Sequence, residues 1–173
     1  QGLIVEKSFD CNEKLKEKCV KTISLQPSFI EVLKNFKYSA YGEIYNVALK
    51  MFKDNIFTGV GISNYQKSCT NIKKYRDLMI NYKCASHPHN TYIQWLSEGG
   101  LITFFSFIIF LTSIFYFLIK SKNKTLIKLI SIASMIILFW PLMSTGSLIK
   151  NWNGITAFYI IGLCICLNRV KIS

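Results

Sequence analysis

The sequence predicts a mainly α-helical membrane protein, in which a charged outer segment precedes about three transmembrane helices. Of its 173 residues 51% are hydrophobic, and all nine acidic residues lie before residue 99. Residues 1–99 carry 14 basic and nine acidic groups, whereas residues 100–173 carry seven basic groups and no acid. This composition excludes a disordered polymer. We therefore expect a water-facing domain over 1–99 and a transmembrane region over 100–173.

Three apolar runs predict membrane helices over about 100–119, 125–144 and 152–168. The first is free of charge from Leu101 to Ile119, and at about 1.5 Å per residue it crosses most of a ~30 Å hydrocarbon layer. The second contains Lys128 near one end and Pro141 near the other. The third is short for a span, so it needs Trp152 and Arg169 as interface anchors.

Basic residues predict the orientation of these helices. The turn over 120–128 holds four lysines and the C-terminus holds two basic residues, whereas the connection over 144–154 holds one lysine. By the positive-inside rule, the first turn and the C-terminus are cytoplasmic, and residues 1–99 lie outside. Gln1 is not an initiator and no signal peptide precedes the outer segment. We therefore expect the chain to be the C-terminal part of a longer polytopic protein.

The outer segment contains four cysteines, namely Cys11, Cys19, Cys69 and Cys84. Four cysteines allow three pairings, and an oxidising compartment would permit a Cys69–Cys84 disulfide that clips the loop leading to residue 87. Four reduced thiols are the alternative. The sequence does not choose between them.

Residues 41–53 show the three-and-four spacing of an amphipathic helix, which ends at Asp54. Its apolar face consists of Ile44, Val47, Ala48, Met51 and Phe52. Gly59 and Gly61 follow, and they can adopt positive φ or let a backbone or a ligand approach closely. A tight turn that binds nothing is the alternative for this pair. Residues 62–86 are polar and predict an irregular loop.

The two histidines of the chain, His87 and His89, flank Pro88 just before a helical pattern. Pro88 restricts His87 to an extended conformation, and Asn90 is a favourable N-cap for the helix that follows. The positive end of that helix would lower the pKa of an imidazole, keep it neutral and attract phosphate.

Three interpretations of the histidines compete. The first is structural, with a capping Asn90 and hydrogen-bonded imidazoles. The second is tetrahedral zinc bound by Cys69, Cys84, His87 and His89. The third is general-base catalysis on a hydroxyl at the membrane surface.

The spacing after His89 supports the third interpretation. His89-Asn90 is followed by nine residues, Gly100, two residues and Thr103, within a longer His-Pro-His-Asn-x-Tyr-Ile-Gln pattern. This arrangement resembles the O-antigen ligase and O-antigen polymerase family of bacterial inner-membrane glycosyltransferases, which includes protein O-oligosaccharyltransferases. The upstream amphipathic helix, which ends in Lys-Asp-Asn and leads to Gly-Val-Gly, is also similar to the pattern of this family. The resemblance covers about residues 41–105.

The resemblance implies a helical fold with a periplasmic loop between late spans. It also implies transfer of a glycan from a polyprenyl-diphosphate carrier to a lipid, glycan or protein hydroxyl, without a metal or other cofactor and without a nucleic acid partner. His89 matches the family's histidine and is expected to act as general base or to position the acceptor, with His87 supporting it. The expected substrate-binding residues are Asn90, Lys67, Arg76, Gly59, Gly61, Tyr92 and Gln94.

The sequence departs from the family pattern after the Gly-x-Gly turn. Members usually carry a Phe-Arg pair there, and the corresponding positions hold Tyr65-Gln66. Lys67 or Arg76 would then hold the diphosphate, although a lysine offers no rigid bidentate fork. The alternative function is a non-enzymatic membrane protein whose outer loop binds a glycan or a metal.

Overall fold

The structure is a computed structural model that describes residues 3–6, 23–26, 30 and 34–169. Over these residues it is mainly helical, as the sequence predicts, with one pair of short strands. The chain divides into two compact units, residues 1–39 and residues 40–173. The predictions for Cys11 and Cys19 lie outside the described residues.

The first unit contains a strand pair that the sequence did not predict. Strands β1 (Leu3–Glu6) and β2 (Ile23–Gln26) pair antiparallel, with Leu3 opposite Gln26. Each strand has four residues, which is too few for an alternating pattern to stand out. A 3₁₀ turn follows at Phe36–Tyr38, and the Ser39 hydroxyl donates to the Phe36 carbonyl at 2.6 Å.

Helix α1 (Ala40–Asp54) opens the second unit and agrees with the predicted amphipathic helix over 41–53. Four of the five residues predicted for its apolar face are buried, and Phe52 is half-buried. This face forms an outer core with side chains that follow it in the chain. The outer core consists of Ile44, Val47, Ala48, Met51, Tyr65, Cys69 and Tyr75.

Residues 62–86 contain two short helices, so the prediction of an irregular loop is wrong for part of this segment. Helix α2 spans Tyr65–Asn71 and helix α3 spans Lys73–Arg76. Helices this short are not stable alone and depend on tertiary contacts, which the local sequence does not reveal. For α3 one such contact is the ion pair between Lys74 and Asp54 at 2.9 Å. Hydrogen bonds from Lys74 and then Lys50 lower the pKa of Asp54 to about 2.

Helix α4 (Thr91–Lys120) is the longest helix of the described residues and is broken at Gly100, where φ is +68°. The part after the break, residues 101–120, is about 30 Å long at 1.5 Å per residue. By length and composition α4 is the one described helix that is long and apolar enough to cross a membrane.

The break in α4 is covered by the glycine loop, residues 56–61. Gly59 and Gly61 have φ of +61° and +96°, as the sequence predicts for positions of close approach. A Cβ on Gly59 would strike the Glu98 carbonyl, and one on Gly100 would strike the Phe57 carbonyl. Backbone hydrogen bonds join the loop to the broken helix: Val60 N to Ser97 O (2.9 Å), Gly61 N to Glu98 O (2.8 Å), Leu101 N to Ile56 O (2.8 Å) and Ile102 N to Phe57 O (3.4 Å).

Helix α6 (Asn151–Arg169) agrees in extent with the helix predicted over 152–168, and its crossing of a membrane stays a prediction. Helix α5 (Thr125–Leu138) is six residues shorter than predicted. Pro141 lacks a backbone donor and disfavours helical geometry at the residue before it, so α5 ends early. Its 14 residues span about 21 Å, less than a ~30 Å hydrocarbon layer. Residues 139–150 form a return loop between α5 and α6.

The second half of α4 packs with α5 and α6 around an apolar core. The buried side chains of this core are Phe107, Leu111, Ile114, Leu118, Met135, Phe139, Ile161 and Cys164. Asn168 on α6 donates to Ser131 on α5 at 2.7 Å, which adds a polar contact between the helices. Their outer faces expose large apolar side chains such as Ile109, Ile137 and Phe158, a surface that favours a lipid environment.

We predict that Gly100→Ala destabilises the chain by about 2 kcal/mol or more, because alanine is disfavoured at positive φ and its Cβ strikes the glycine loop. Gly162→Ala is the matched control, since an added Cβ there meets nothing within 4 Å and alanine favours a helix. Thermal unfolding in detergent micelles measures both. Equal midpoints for the two variants would contradict the role given to the break.

Candidate functional site

His87 and His89, the His pair, lie on the segment that enters α4. The Asn90 side chain accepts hydrogen bonds from Tyr92 N and Ile93 N, both at 3.1 Å, which confirms Asn90 as the N-cap. The two imidazole centroids are 4.2 Å apart, with the rings tilted by 44°. The cap therefore holds the His pair at the N-terminus of the helix.

His89 is the conformationally unusual member of the pair. Its φ is +56°, a left-handed value that costs a non-glycine residue about 1–2 kcal/mol. Its carbonyl accepts a hydrogen bond from Thr145 N at 2.8 Å, which holds this conformation. The half-buried ring lies edge-on to Tyr41, with centroids 6.0 Å apart. Within residues 34–169 its nitrogens have no hydrogen-bond partner, so they are available to a substrate.

His87 has partners on both ring nitrogens. Nε2 lies 3.4 Å from the Thr145 carbonyl, and Nδ1 lies 2.9 Å from the Ser86 hydroxyl. A carbonyl only accepts, so Nε2 carries the proton of the neutral ring and Nδ1 accepts from Ser86. Burial, followed by electrostatic interaction with His89, lowers the pKa of His87; the Thr145 contact opposes this and Lys150 adds to it. The sequence predicted a lowered histidine pKa from the helix terminus, whereas at His87 the main cause is burial.

The return loop forms a wall of the site that the sequence analysis missed. Thr145 contacts the backbone of His89 and the ring of His87, as described above. Four further hydrogen bonds join the return loop to residues 86–92: Asn90 Nδ2 to Pro141 O (2.7 Å), Tyr92 OH to Phe139 O (2.7 Å), Thr91 Oγ1 to Thr145 Oγ1 (3.0 Å) and Lys150 Nζ to Ser86 O (3.2 Å). A fifth joins the loop to α1, from Ser144 Oγ to Tyr41 OH (3.2 Å). The sequence signals were Pro141, which stops α5, and the single lysine between residues 144 and 154.

The buried carboxylate of Glu98 connects the segment after the glycine loop to the return loop through Gln94. Glu98 is 1% exposed and accepts hydrogen bonds from Ser63 N, Tyr65 N and Gln94 Nε2 at 3.0–3.2 Å. Gln94 Nε2 also donates to Ser147 Oγ at 2.8 Å. A carboxylate bonded in this way fixes the helix to both of its neighbours. Sequence reasoning passed over Glu98, because two of its partners, Ser63 and Tyr65, lie more than 30 residues away in the chain.

The remaining predicted site residues fall into two groups. Gly59, Gly61, Tyr92 and Gln94 hold the framework, through the contacts given above. Lys67 and Arg76 are exposed on α2 and α3, and their side chains make no ion pair or hydrogen bond with another described residue. Contact of any of these residues with a substrate stays a prediction. Tyr65, at the position of the family's Phe-Arg pair, is buried in the outer core.

The zinc interpretation of the His pair is wrong. Cys69 and Cys84 form a disulfide, with their Cα atoms 5.9 Å apart, so neither sulfur is a free thiolate. The part of the chain that the structure describes contains no cluster of three or more His, Cys, Asp or Glu side chains placed to hold a metal ion. The disulfide instead ties α2 to the segment leading to the His pair.

Two cavities adjoin the return loop. One of about 330 Å³ is almost entirely apolar and lies between α4 and α6, with Trp95, Phe107 and Phe158 in its lining. The other, of about 200 Å³, is more polar and is lined by Thr91, Thr145, Asn153 and Thr156 among others. Leu148 and Ala157 line both cavities. An almost wholly apolar surface and one of mixed polarity therefore meet beside the motif.

A family model described as O-antigen ligase matches residues 18–108, more than half of the chain. The chain belongs to the O-antigen ligase family. This confirms the family that the His89 motif indicated. Membership in this family of bacterial membrane proteins implies glycan transfer in polysaccharide assembly by a glycosyltransferase-like enzyme. No curated protein and no solved structure matches the chain. The matched region of this O-antigen ligase family member includes the glycine loop and the His pair and ends before the return loop.

We predict that Asn90→Ala lowers the free energy of unfolding by about 2 kcal/mol, since it removes the cap of α4 and the bond to Pro141. Asn90→Ser keeps a capping oxygen and loses the donor to Pro141, so its loss is expected to be about half as large. Thermal or denaturant unfolding in detergent distinguishes the two variants. If serine is as damaging as alanine, capping is not the main contribution.

We predict that acidification destabilises the site through His87. Its pKa is lower in the folded chain than its ordinary value of 6.5, so the unfolded state binds more protons between the two values. The stability contribution is present above pH 6.5 and is lost as the pH falls through the folded-state pKa. His87→Gln should therefore show a smaller fall in unfolding midpoint between neutral and acidic pH. An NMR titration of the His87 ring that gives a pKa of 6.5 or above would contradict the prediction.

Proposed function

We propose that the chain transfers a glycan from a polyprenyl-diphosphate carrier to an acceptor hydroxyl, with His89 as general base. The observation that supports this most directly is the environment of the His89 ring. Its backbone is fixed by Thr145 and by the helix cap, while its ring nitrogens have no hydrogen-bond partner among residues 34–169. A base needs a fixed position and an available nitrogen, and His89 has both.

His87 is less suited to be the base. Its Nδ1 is occupied by the Ser86 hydroxyl, and its Nε2 proton points to the Thr145 carbonyl. A neutral His87 ring beside His89 adds no charge to the site. We assign His87 a positioning role, in which it fills the space next to His89 and links the motif to the return loop.

The proposed reaction is a displacement at the anomeric carbon of the donor sugar. The acceptor hydroxyl gives its proton to a His89 ring nitrogen as its oxygen forms the new glycosidic bond. The bond between the anomeric carbon and the carrier phosphate breaks, and its electron pair leaves with the polyprenyl diphosphate. The acceptor is a hydroxyl of a lipid, a glycan or a protein, as the family resemblance implies.

We further propose that the chain lies in the bacterial inner membrane, with residues 1–99 in the periplasm and the C-terminus in the cytoplasm. Residues 101–120 form the first crossing of about three. This orientation puts the return loop and the His pair on the same side of the bilayer, and the hydrogen bonds between them support it. The apolar cavity beside the one of mixed polarity is compatible with a donor that carries both a lipid chain and a polar head.

We predict that His89→Gln, introduced into the gene in its own bacterium, lowers glycan transfer at least about 100-fold, because glutamine bonds a hydroxyl but does not take its proton. His87→Gln is the control and is expected to retain most of the activity. The measurements are the amount of transferred surface glycan and the protein level in the membrane. Normal transfer by a normally expressed His89→Gln protein would exclude His89 as the base.

A further inference from the structure

We propose that Lys150 of the return loop binds the diphosphate of the donor beside the His pair, an inference that rests on the proposed function. Lys150 is the last residue before α6 and donates from Nζ to the Ser86 carbonyl at 3.2 Å. Ser86 in turn bonds the His87 ring through its hydroxyl at 2.9 Å. An ammonium group therefore lies on the segment that carries the His pair, although it comes from a distant part of the chain.

The charge of Lys150 is not neutralised within the described part of the chain. Lys150 forms no ion pair there. Of the four acidic residues between positions 40 and 169, three bond to other partners and the fourth makes no ion pair. Glu43 bonds the backbone amides of residues 80 and 81, Asp54 pairs with Lys50 and Lys74, and Glu98 is buried against Gln94 and two backbone amides. Asp77, the fourth, is exposed and makes no ion pair with a described lysine or arginine. An unneutralised cation next to a neutral imidazole attracts an anionic ligand.

The Lys150 ammonium also has donors to spare. It has three N–H groups, and the Ser86 carbonyl uses one of them. The side chain is exposed, so an incoming phosphate oxygen can reach the other two. The 19-residue helix α6 starts at the next residue and adds the partial positive charge of its N-terminus. As the donor bond breaks, charge grows on the leaving diphosphate, and a fixed cation at that point stabilises it.

Lys150 is bonded to the segment that carries the His pair, whereas the two cations predicted from the sequence, Lys67 and Arg76, are not. Lys67 and Arg76 are exposed on α2 and α3, and neither contacts the segment carrying the His pair by a hydrogen bond. Lys150 makes such a contact and belongs to a loop that bonds both histidines. The structure therefore favours Lys150 over Lys67 and Arg76 as the diphosphate ligand.

The test is the binding of inorganic diphosphate to the purified full chain in detergent, by isothermal titration calorimetry at fixed ionic strength. We expect Lys150→Gln to weaken binding by about tenfold or more, and Lys150→Arg to bind within a few-fold of wild type because it keeps the charge. Lys53→Gln, at an exposed lysine of α1 outside the site, is the matched control and should bind like wild type. Lys67→Gln and Arg76→Gln test the two ligands expected from the sequence. Unchanged thermal unfolding of Lys150→Gln shows that the loss is not misfolding.

Three results would overturn the assignment of Lys150: normal diphosphate binding by Lys150→Gln, no binding by the folded wild-type chain, or a loss confined to Lys67→Gln or Arg76→Gln. The outcome is separate from that of the proposed function. If Lys150→Gln loses diphosphate while His89→Gln transfers glycan normally, the anion site stands and the base assignment fails. If His89→Gln abolishes transfer while Lys150→Gln binds normally, the base assignment stands and this site fails.

Discussion

The break of α4 at Gly100 is the constraint on which the rest of the structure depends. A helix that breaks in a packed region leaves backbone carbonyls and amides without partners, and each unpaired buried group costs about 1–3 kcal/mol. The glycine loop supplies those partners to Ser97, Glu98 and Leu101. Because the loop follows directly from α1, this pairing fixes the first half of α4 against the outer core. The direction of that half then determines where its N-terminus, and with it the His pair, lies.

The His pair is held from the opposite side by the return loop, which comes from a later part of the chain. The left-handed conformation of His89 persists because Thr145 bonds its carbonyl and Asn90 caps the helix after it. Both contacts are needed to fix the imidazole, because the Thr145 bond holds the backbone before α4 and the Asn90 cap fixes the start of the helix. The early end of α5 is therefore part of the site, because it leaves enough chain to fold back over the motif.

The sequence predicted what local patterns encode. Helix α1 follows from its periodicity and the cap from Asn90 and its neighbours. The positive φ of Gly59 and Gly61 follows from the absence of a Cβ in glycine. It did not predict α2, α3 or the contacts of Glu98 with Ser63 and Tyr65, because these depend on partners 20 or more residues away. The end of α5 was placed too late, since apolar composition alone continues the run past Pro141. The return loop was missed because its residues form no recognisable motif, and their role becomes visible only when the fold places them beside the histidines.

The carboxylates around the site bond to its scaffold and not to the His pair. A carboxylate next to a histidine raises the pKa of the ring and favours imidazolium, which takes no proton from a hydroxyl. The buried carboxylates, Glu43 and Glu98, are instead bonded to backbone amides and to amide side chains. In the described residues no carboxylate makes a hydrogen bond or ion pair with the His pair. The acids thus build the scaffold, and the groups left at the motif are imidazoles, hydroxyls and one ammonium. That set combines an unbonded ring nitrogen with a positive charge, which is the combination that the proposed glycan transfer requires.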